Sequence, residues 1–487
     1  MFIKKENKEK CKELFNAVID KGVEFKISQK FLDKIFDNKD KEKLFNFSTD
    51  GIEIEKLIKK FNDEIIPYCS NFSNEKFMSF PDAGNSVAGI VGALYADMLQ
   101  QNMINSSFCS PIATYMEMAV INCLRKTIGY NCGKINNIWD VGGIITYGGT
   151  GSNTTAMLLA RENHKRNTMK NGVNNPSDFI TIIPKGIGHY SIKSACMWLG
   201  LGDNIIEVET KNFKYDLEKL KETLLKHKGK IMSVVCYVGD SRAMTIENLE
   251  DVFRLVKSID KNIWLHADAC HGFSLAFSEK LKNKIKGIEL FDSVSTDPHK
   301  VLDLPYCLSA LLVKDPNKFN LITSTSDLIM QEDFAFGQIT PFIGSKSWVS
   351  LKLWFVLQNL GINGVAKMIE DRMDMAQKLK KLVLANNNLI LLNSVEMNSV
   401  VFMYAPKKII NDIDMLNKVN KEIHDRMYRD GNYHLHQFSI PDNMGVVKKD
   451  AILYPLRYMS GNPNISEKTL KDMVDYIIKL GDDIINE

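Results

Sequence analysis

Lys300 closes the run Asp292-Ser-Val-Ser-Thr-Asp-Pro-His-Lys300, directly after His299 and ahead of VLDLPYCLSALLV. A lysine in so apolar a setting needs a reason. Desolvation is expected to lower its pKa and make it a usable amine nucleophile. Thirty-two residues upstream, the segment NIWLHADACHG carries Asp268. Strand alternation puts His266 and Asp268 on one face. A lysine, a histidine and an upstream acid on adjacent strand ends suit pyridoxal 5'-phosphate (PLP). The lysine holds the aldehyde as a Schiff base, and the acid keeps the pyridine nitrogen protonated so that the ring accepts electrons. Two other readings of the acid stand beside this one. Asp268 caps the next turn, or His266, Asp268 and His271 bind a metal, a spacing that is allowed but lacks a further ligand pair.

A second cluster, Gly148-Gly-Thr-Gly-Ser-Asn153, follows the strand-like GGIITY and precedes the helical TTAMLLARENHKR. A glycine turn at a helix N-terminus offers backbone N–H groups and a positive dipole end to a phosphate, and Thr150 and Ser152 add hydroxyls. Alone the signal is weak. The cluster is not a Walker A motif and lacks the G-x-G-x-x-G register. His189, in KGIGHYSIKSACMWLGLGD, reads either as a helix-start histidine bonded to backbone or as a flat ring stacked on a planar cofactor. His434 and His436 form an H-x-H pair in a turn-rich stretch and read as structural or exposed.

Alternating elements must position these residues. GGIITYGG, DFITIIP, NIIEVE, IMSVVCYVG, NIWLHADA, DSVST and LSALLV read as seven strands. Helical stretches at 191–200, 216–228, 246–259 and 278–288 separate several of them. That alternation predicts an α/β fold with a largely parallel seven-stranded sheet covered on both faces, and ligands gather at the carboxyl ends of such strands. Two broad-faced helices precede it, in SVAGIVGALYADMLQQNM and SPIATYMEMAVINCLRKTIG. The irregular stretch 320–345 has the length of a lid or flap. After it, a strong helix leads into mixed strands and helices. The expected organisation is an N-terminal helical segment at 1–75, a large cofactor-binding domain at 76–346 and a small α+β domain at 347–487. Residues 1–70 look too thinly apolar for a core of their own and are expected to pack on the rest of the chain or on a partner subunit.

Composition narrows the class. The 487 residues are ample for two or three domains. With 62 basic and 59 acidic residues, charge gives no reason to expect nucleic acid. No apolar stretch approaches the ~18 residues of a membrane span, and the N-terminus turns charged at once, so no membrane association and a cytoplasmic location are expected. The nine cysteines are scattered without a C-x-x-C, which favours reduced thiols over a disulfide framework or zinc site.

Taken together, the motifs resemble the PLP-dependent amino acid decarboxylases that include glutamate, aromatic L-amino acid, tyrosine and tryptophan decarboxylases. The likeness runs over about 76–465 through SPIATYMEMAV, GGTGSNTTAMLLAR, GHYSIKSACMWLGLGDN, HADACHGF, DSVSTDPHK and LKLWFVLQNLG. It ends at Arg457 and Asn462-Pro463. The resemblance implies a fold type I architecture and a homodimer with sites at the interface. It implies Lys300 as the Schiff-base lysine, Asp268 at the pyridine nitrogen and His189 stacked on the ring. Thr150, Gly151 and His299 would lie near the phosphate, with Ser152 and Ser295 as further candidates. It also implies conversion of an L-amino acid to its amine and carbon dioxide.

The chain departs from the family pattern in four places. Asn74-Glu75 stands for His-Pro, Gly239-Asp240-Ser241 for Gly-Thr-Thr, and Ser345-Lys346 for Ser-Arg. No tyrosine lies between Tyr306 and Tyr404, where the family's mobile loop often has one. That gap leaves open an aldehyde-forming reaction or another fold type I lyase activity. Phe334, Phe336, Phe342 and Trp348 are candidates for an apolar pocket, which would favour a hydrophobic or aromatic substrate. They could equally be core.

Overall fold

The computed structural model describes residues 1–37, 39, 41, 44, 47, 49–324, 326 and 334–487. Part of the loop expected at 320–345 therefore lies outside the described residues.

All seven predicted strands form one sheet. They are β1 (Gly143–Thr146), β2 (Ile180–Pro184), β3 (Ile205–Val208), β4 (Ile231–Tyr237), β5 (Trp264–Asp268), β6 (Ser293–Thr296) and β7 (Ser309–Val313). Their order is β1-β7-β6-β5-β4-β2-β3. Strand β7 is antiparallel to both neighbours, and the pairings from β6 through to β3 are parallel. The central strands are buried along their whole length. Helices cover both faces, which explains why these segments read as unbroken apolar runs.

Register brings the carboxyl ends of three strands level. Tyr237 on β4 pairs with Asp268 on β5, and Asp268 pairs with Ser295 on β6. The chain leaves β6 into the helical turn Pro298–Val301, which carries His299 and Lys300. It leaves β1 into the helix Gly149–His164. Gly149 allows the close approach that follows, for a Cβ there would lie 2.8 Å from both Asp297 Oδ2 and Cys270 Sγ.

The stretch 278–288 is not the expected helix. It holds two short 3-10 turns, Lys282–Ile285 and Ile288–Leu290, separated by Gly287 at φ 94°. A left-handed glycine interrupts helical hydrogen bonding at that point.

A second, antiparallel sheet contains β8 (Leu389–Leu391), β9 (Ser399–Tyr404), β10 (His436–Gln437) and β11 (Leu456–Met459), in the order β8-β9-β11-β10. The helix Leu351–Leu384, broken at Gly361, packs on this sheet and on the helix Val87–Leu99. That second contact depends on Gly92, where a Cβ would fall 2.8 Å from Lys352 Cα. At the N-terminus, Phe31 is buried against Phe77, Tyr428 and His434, so this segment is tied to the C-terminal part of the chain. The helix Lys8–Lys26 itself buries only Cys11. Among the described residues no helix is long and apolar enough to cross a membrane.

Lys346, which stands where the family often has arginine, is fully buried and lies 2.5 Å from the carboxylate of buried Glu117. Removing one partner strands the other charge in the core. Glu117→Ala is expected to cost about 3–5 kcal/mol, whereas replacing both by apolar residues of similar volume recovers most of that loss. Urea unfolding midpoints of the single and double variants check this.

Candidate active site

The level strand ends open on a cavity of about 320 Å³, lined by Gly148, Gly149, Thr150, Asn153, His189, Asp268, His299 and Lys300 among others. Two strand ends and two helix starts thus converge, as expected for a parallel sheet.

Lys300 Nζ lies 2.8 Å from Asp297 Oδ2. Burial works against its charge, but Asp297, with Cys270 and Asp268 near, holds the ammonium well above its ordinary range. The expected lowering by desolvation is therefore overturned. The neighbouring carboxylate outweighs the apolar surroundings. Asp297 in turn is kept anionic, at about 2: its own burial opposes ionisation, but Lys300, His299 and the Ser309 hydroxyl more than compensate.

Asp268 is held from behind. Its Oδ2 accepts from Asn153 Nδ2 at 2.9 Å, and the other Nδ2 hydrogen goes to Ser191 Oγ at 2.8 Å. Asn153 Oδ1 accepts from Ser295 Oγ at 2.6 Å and meets His266 Nε2 at 3.0 Å. All four hydrogen-bonding positions of the amide are used. An amide oxygen only accepts, so His266 carries its proton on Nε2. Its Nδ1 then accepts from Ser293 Oγ at 2.8 Å, and that hydroxyl accepts from Trp264 Nε1. The same logic fixes His189. Its Nδ1 accepts the Ser191 backbone N–H at 3.3 Å and lies 2.6 Å from the Ser191 hydroxyl, so the ring proton sits on Nε2. Burial lowers the His189 pKa, although the nearby Asp268 opposes this, and the ring is neutral at neutral pH.

A buried acid, a primary amine and an uncapped helix N-terminus meet in one cavity. The family described as "Pyridoxal-dependent decarboxylase conserved domain" matches residues 39–405. The chain belongs to this family. Among its relatives, an L-2,4-diaminobutyrate decarboxylase from Acinetobacter baumannii is 24% identical over 76% of this chain and 72% of its own length. An aromatic-L-amino-acid decarboxylase from Bacillus atrophaeus is 22% identical over 77% and 76%. The solved structure of Oryza sativa TDC with PLP and tryptamine superposes with a TM-score of 0.86, at 18% identity, over 99% of this chain and 100% of that one. The protein is a PLP-dependent amino acid decarboxylase, and PLP is its cofactor.

The donor set fits that cofactor. The first turn of Gly149–His164 has no side-chain cap, which leaves the N–H groups of Gly149 and Thr150 for an anion, while those of Gly151 and Ser152 go to Gly148 O. His271 Nδ1 is buried without a partner among the described residues, as is Arg457 Nε.

Not every expected residue faces the cavity. Thr150 does, and so does His299, whose Nδ1 donates to Leu308 O at 2.7 Å. Ser152 does not, because its hydroxyl is buried against Thr146 Oγ1 at 2.7 Å. Gly151 gives its N–H to Gly148 O. The Ser295 hydroxyl is committed to Asn153. These three groups brace the cavity wall from inside. His266 is likewise absorbed in that network, and no metal-binding group of three occurs among the described residues. Asp240, in the departed Gly-Thr-Thr segment, folds a turn by accepting from the backbone N–H groups of Arg242, Ala243 and Thr245.

A second cavity of about 420 Å³ adjoins the first and shares Ser241, His271 and Lys300 with it. Its apolar walls are Phe80, Phe438 and Met459, and His436 joins them. None of the four expected aromatic residues lines either cavity. Phe336 and Trp348 are buried in the core, Phe342 is exposed, and Phe334 packs on Tyr115. Arg457 was legible only as the end of the family likeness. It stands in this second cavity, buried, with Nη1 on Ser241 O and no ion pair among the described residues. Burial pushes its pKa down to about 10.

His266 gives a pH test of the network. Burial depresses its pKa to about 4. The unfolded chain, with an ordinary histidine near 6.5, binds the proton more readily. The stability contributed is complete above about pH 6.5 and is lost as pH falls towards about 4, roughly 3 kcal/mol in all. Urea midpoints measured across this range are expected to fall less steeply for His266→Gln than for the unaltered chain.

Proposed function

We propose that Lys300 tethers PLP in the first cavity while the second receives an L-amino acid whose α-carboxylate pairs with Arg457. One observation carries this assignment: a buried guanidinium with no ion pair among the described residues stands in a cavity that also contains Lys300. An unpaired buried cation is costly, and an incoming carboxylate offsets that cost.

Asp268, fixed by Asn153, would pair with the pyridine nitrogen. The His189 ring would lie against the cofactor face. Thr150, His299 and the N–H groups opening Gly149–His164 would receive the phosphate. PLP, when bound, supplies an electron sink for the pair left on the α-carbon as carbon dioxide departs. Before tethering, Asp297 keeps the Lys300 amine charged and oriented. Phe80, Phe438 and Met459 would shield the α-carboxylate from water, which strengthens its pairing with Arg457. The neutral His189 can donate a hydrogen bond through Nε2 but carries no spare charge.

Within this reading, residues 76–346 form the cofactor-binding part and 347–487 the smaller one. A homodimer is supported by exposed apolar side chains on two helices, Phe15, Val18 and Val23 on one and Val87, Tyr95 and Met98 on the other. Nine free cysteines support a reducing, cytoplasmic setting. A second outcome, an aldehyde with ammonia and hydrogen peroxide at the expense of oxygen, is favoured by the tyrosine-free segment between Tyr306 and Tyr404.

Purified PLP-loaded protein is expected to release carbon dioxide and amine from one class of L-amino acids. Aldehyde and peroxide in place of amine would establish the second outcome. Lys300→Ala is expected to lose the visible absorbance of tethered cofactor. Arg457→Met is expected to raise KM at least about 30-fold, the equivalent of a lost charge-assisted hydrogen bond, while leaving that absorbance intact.

A further inference from the structure

We propose that Asp82 selects the substrate side chain and that the enzyme acts on L-amino acids whose side chain ends in a cationic amine. The inference rests on the second cavity being the amino-acid site. It replaces the expectation of a hydrophobic substrate.

Among the described residues, Asp82 is the only acidic one lining that cavity. Its two oxygens differ. Oδ2 accepts from the Tyr306 hydroxyl at 2.6 Å. Oδ1 is sealed from solvent and has no hydrogen-bond partner among the described residues. A buried carboxylate oxygen left unsatisfied is unfavourable unless a ligand completes it, and an ammonium is the strongest such donor. Burial raises the Asp82 pKa, with the Tyr306 hydrogen bond and the Lys300 charge opposing.

The surrounding groups leave room for this assignment. Arg457 is taken by the α-carboxylate and Lys300 by the cofactor. Arg242, the other cation in the lining, reaches Gly186 O at 3.3 Å, and its charge is felt at His189 on the cofactor side. Asp82 sits with Tyr306, whose ring packs 5.2 Å from that of His299. Aspartate or glutamate would place a second anion beside Asp82.

The test compares isosteric pairs: 2,4-diaminobutyrate against norvaline, and ornithine against norleucine, with glutamate as the acidic control. The holoenzyme is expected to favour the amine of each pair by at least about 30-fold in kcat/KM. Asp82→Asn, which keeps the shape and is checked by cofactor absorbance, is expected to reduce that preference to within about threefold. Tyr306→Phe is expected to weaken it by an intermediate factor. The proposal is overturned if norvaline, norleucine or glutamate is preferred, or if Asp82→Asn leaves the ratios unchanged. Calorimetric binding of the same pairs to PLP-loaded Lys300→Ala separates the two readings. A binding preference that depends on Asp82, without any carbon dioxide from the holoenzyme, would sink the decarboxylation assignment and leave this one standing. Decarboxylation without such a preference would do the reverse.

Discussion

The side-chain amide of Asn153 holds the site together. It has two donors and two acceptor positions, and these four are shared among three elements: β5 through Asp268 and His266, β6 through Ser295, and the helix after His189 through Ser191. Buried networks of this kind are costly when incomplete and rigid when complete. Here the network is complete. It fixes the orientation of Asp268, the tautomer of His266 and, through Ser191, the tautomer of His189. Three groups that face the cavity or brace it are set by one side chain that does no chemistry itself.

Charge is handled differently at the two ends of the site. At Lys300 the cation is paired internally with Asp297. At Arg457 it has no ion pair among the described residues, and Asp82 in the same cavity keeps one oxygen without a hydrogen-bond partner among them. The first arrangement is closed by an internal ion pair, and the second lines a cavity that holds both a buried cation and a buried carboxylate oxygen.

Much of this was legible in the sequence. The seven strands were visible because buried parallel strands are uninterrupted apolar runs. Lys300 and Asp268 were visible because each is a polar residue that follows such a run, and His189 because it opens a helix in a stretch that resembles the family. What stayed hidden was direction. Ser152 and Ser295 have the right type and neighbourhood for a phosphate, yet their hydroxyls turn inward, a choice made by partners distant in the chain. Asn153 was one letter in a glycine turn. Phe336 and Trp348 looked like pocket residues but are core, because periodicity distinguishes buried from exposed and not core from cavity. The walls of the second cavity come from Phe80, Phe438 and Met459, segments too far apart in sequence to be associated by spacing. The 278–288 stretch has helix-forming residues yet holds only short 3-10 turns, the second of them set off by the left-handed Gly287.

Ser241, His271 and Lys300 belong to both cavities. The lysine side chain therefore stands at the seam between the two compartments, so a change at its amine alters the lining of both at once.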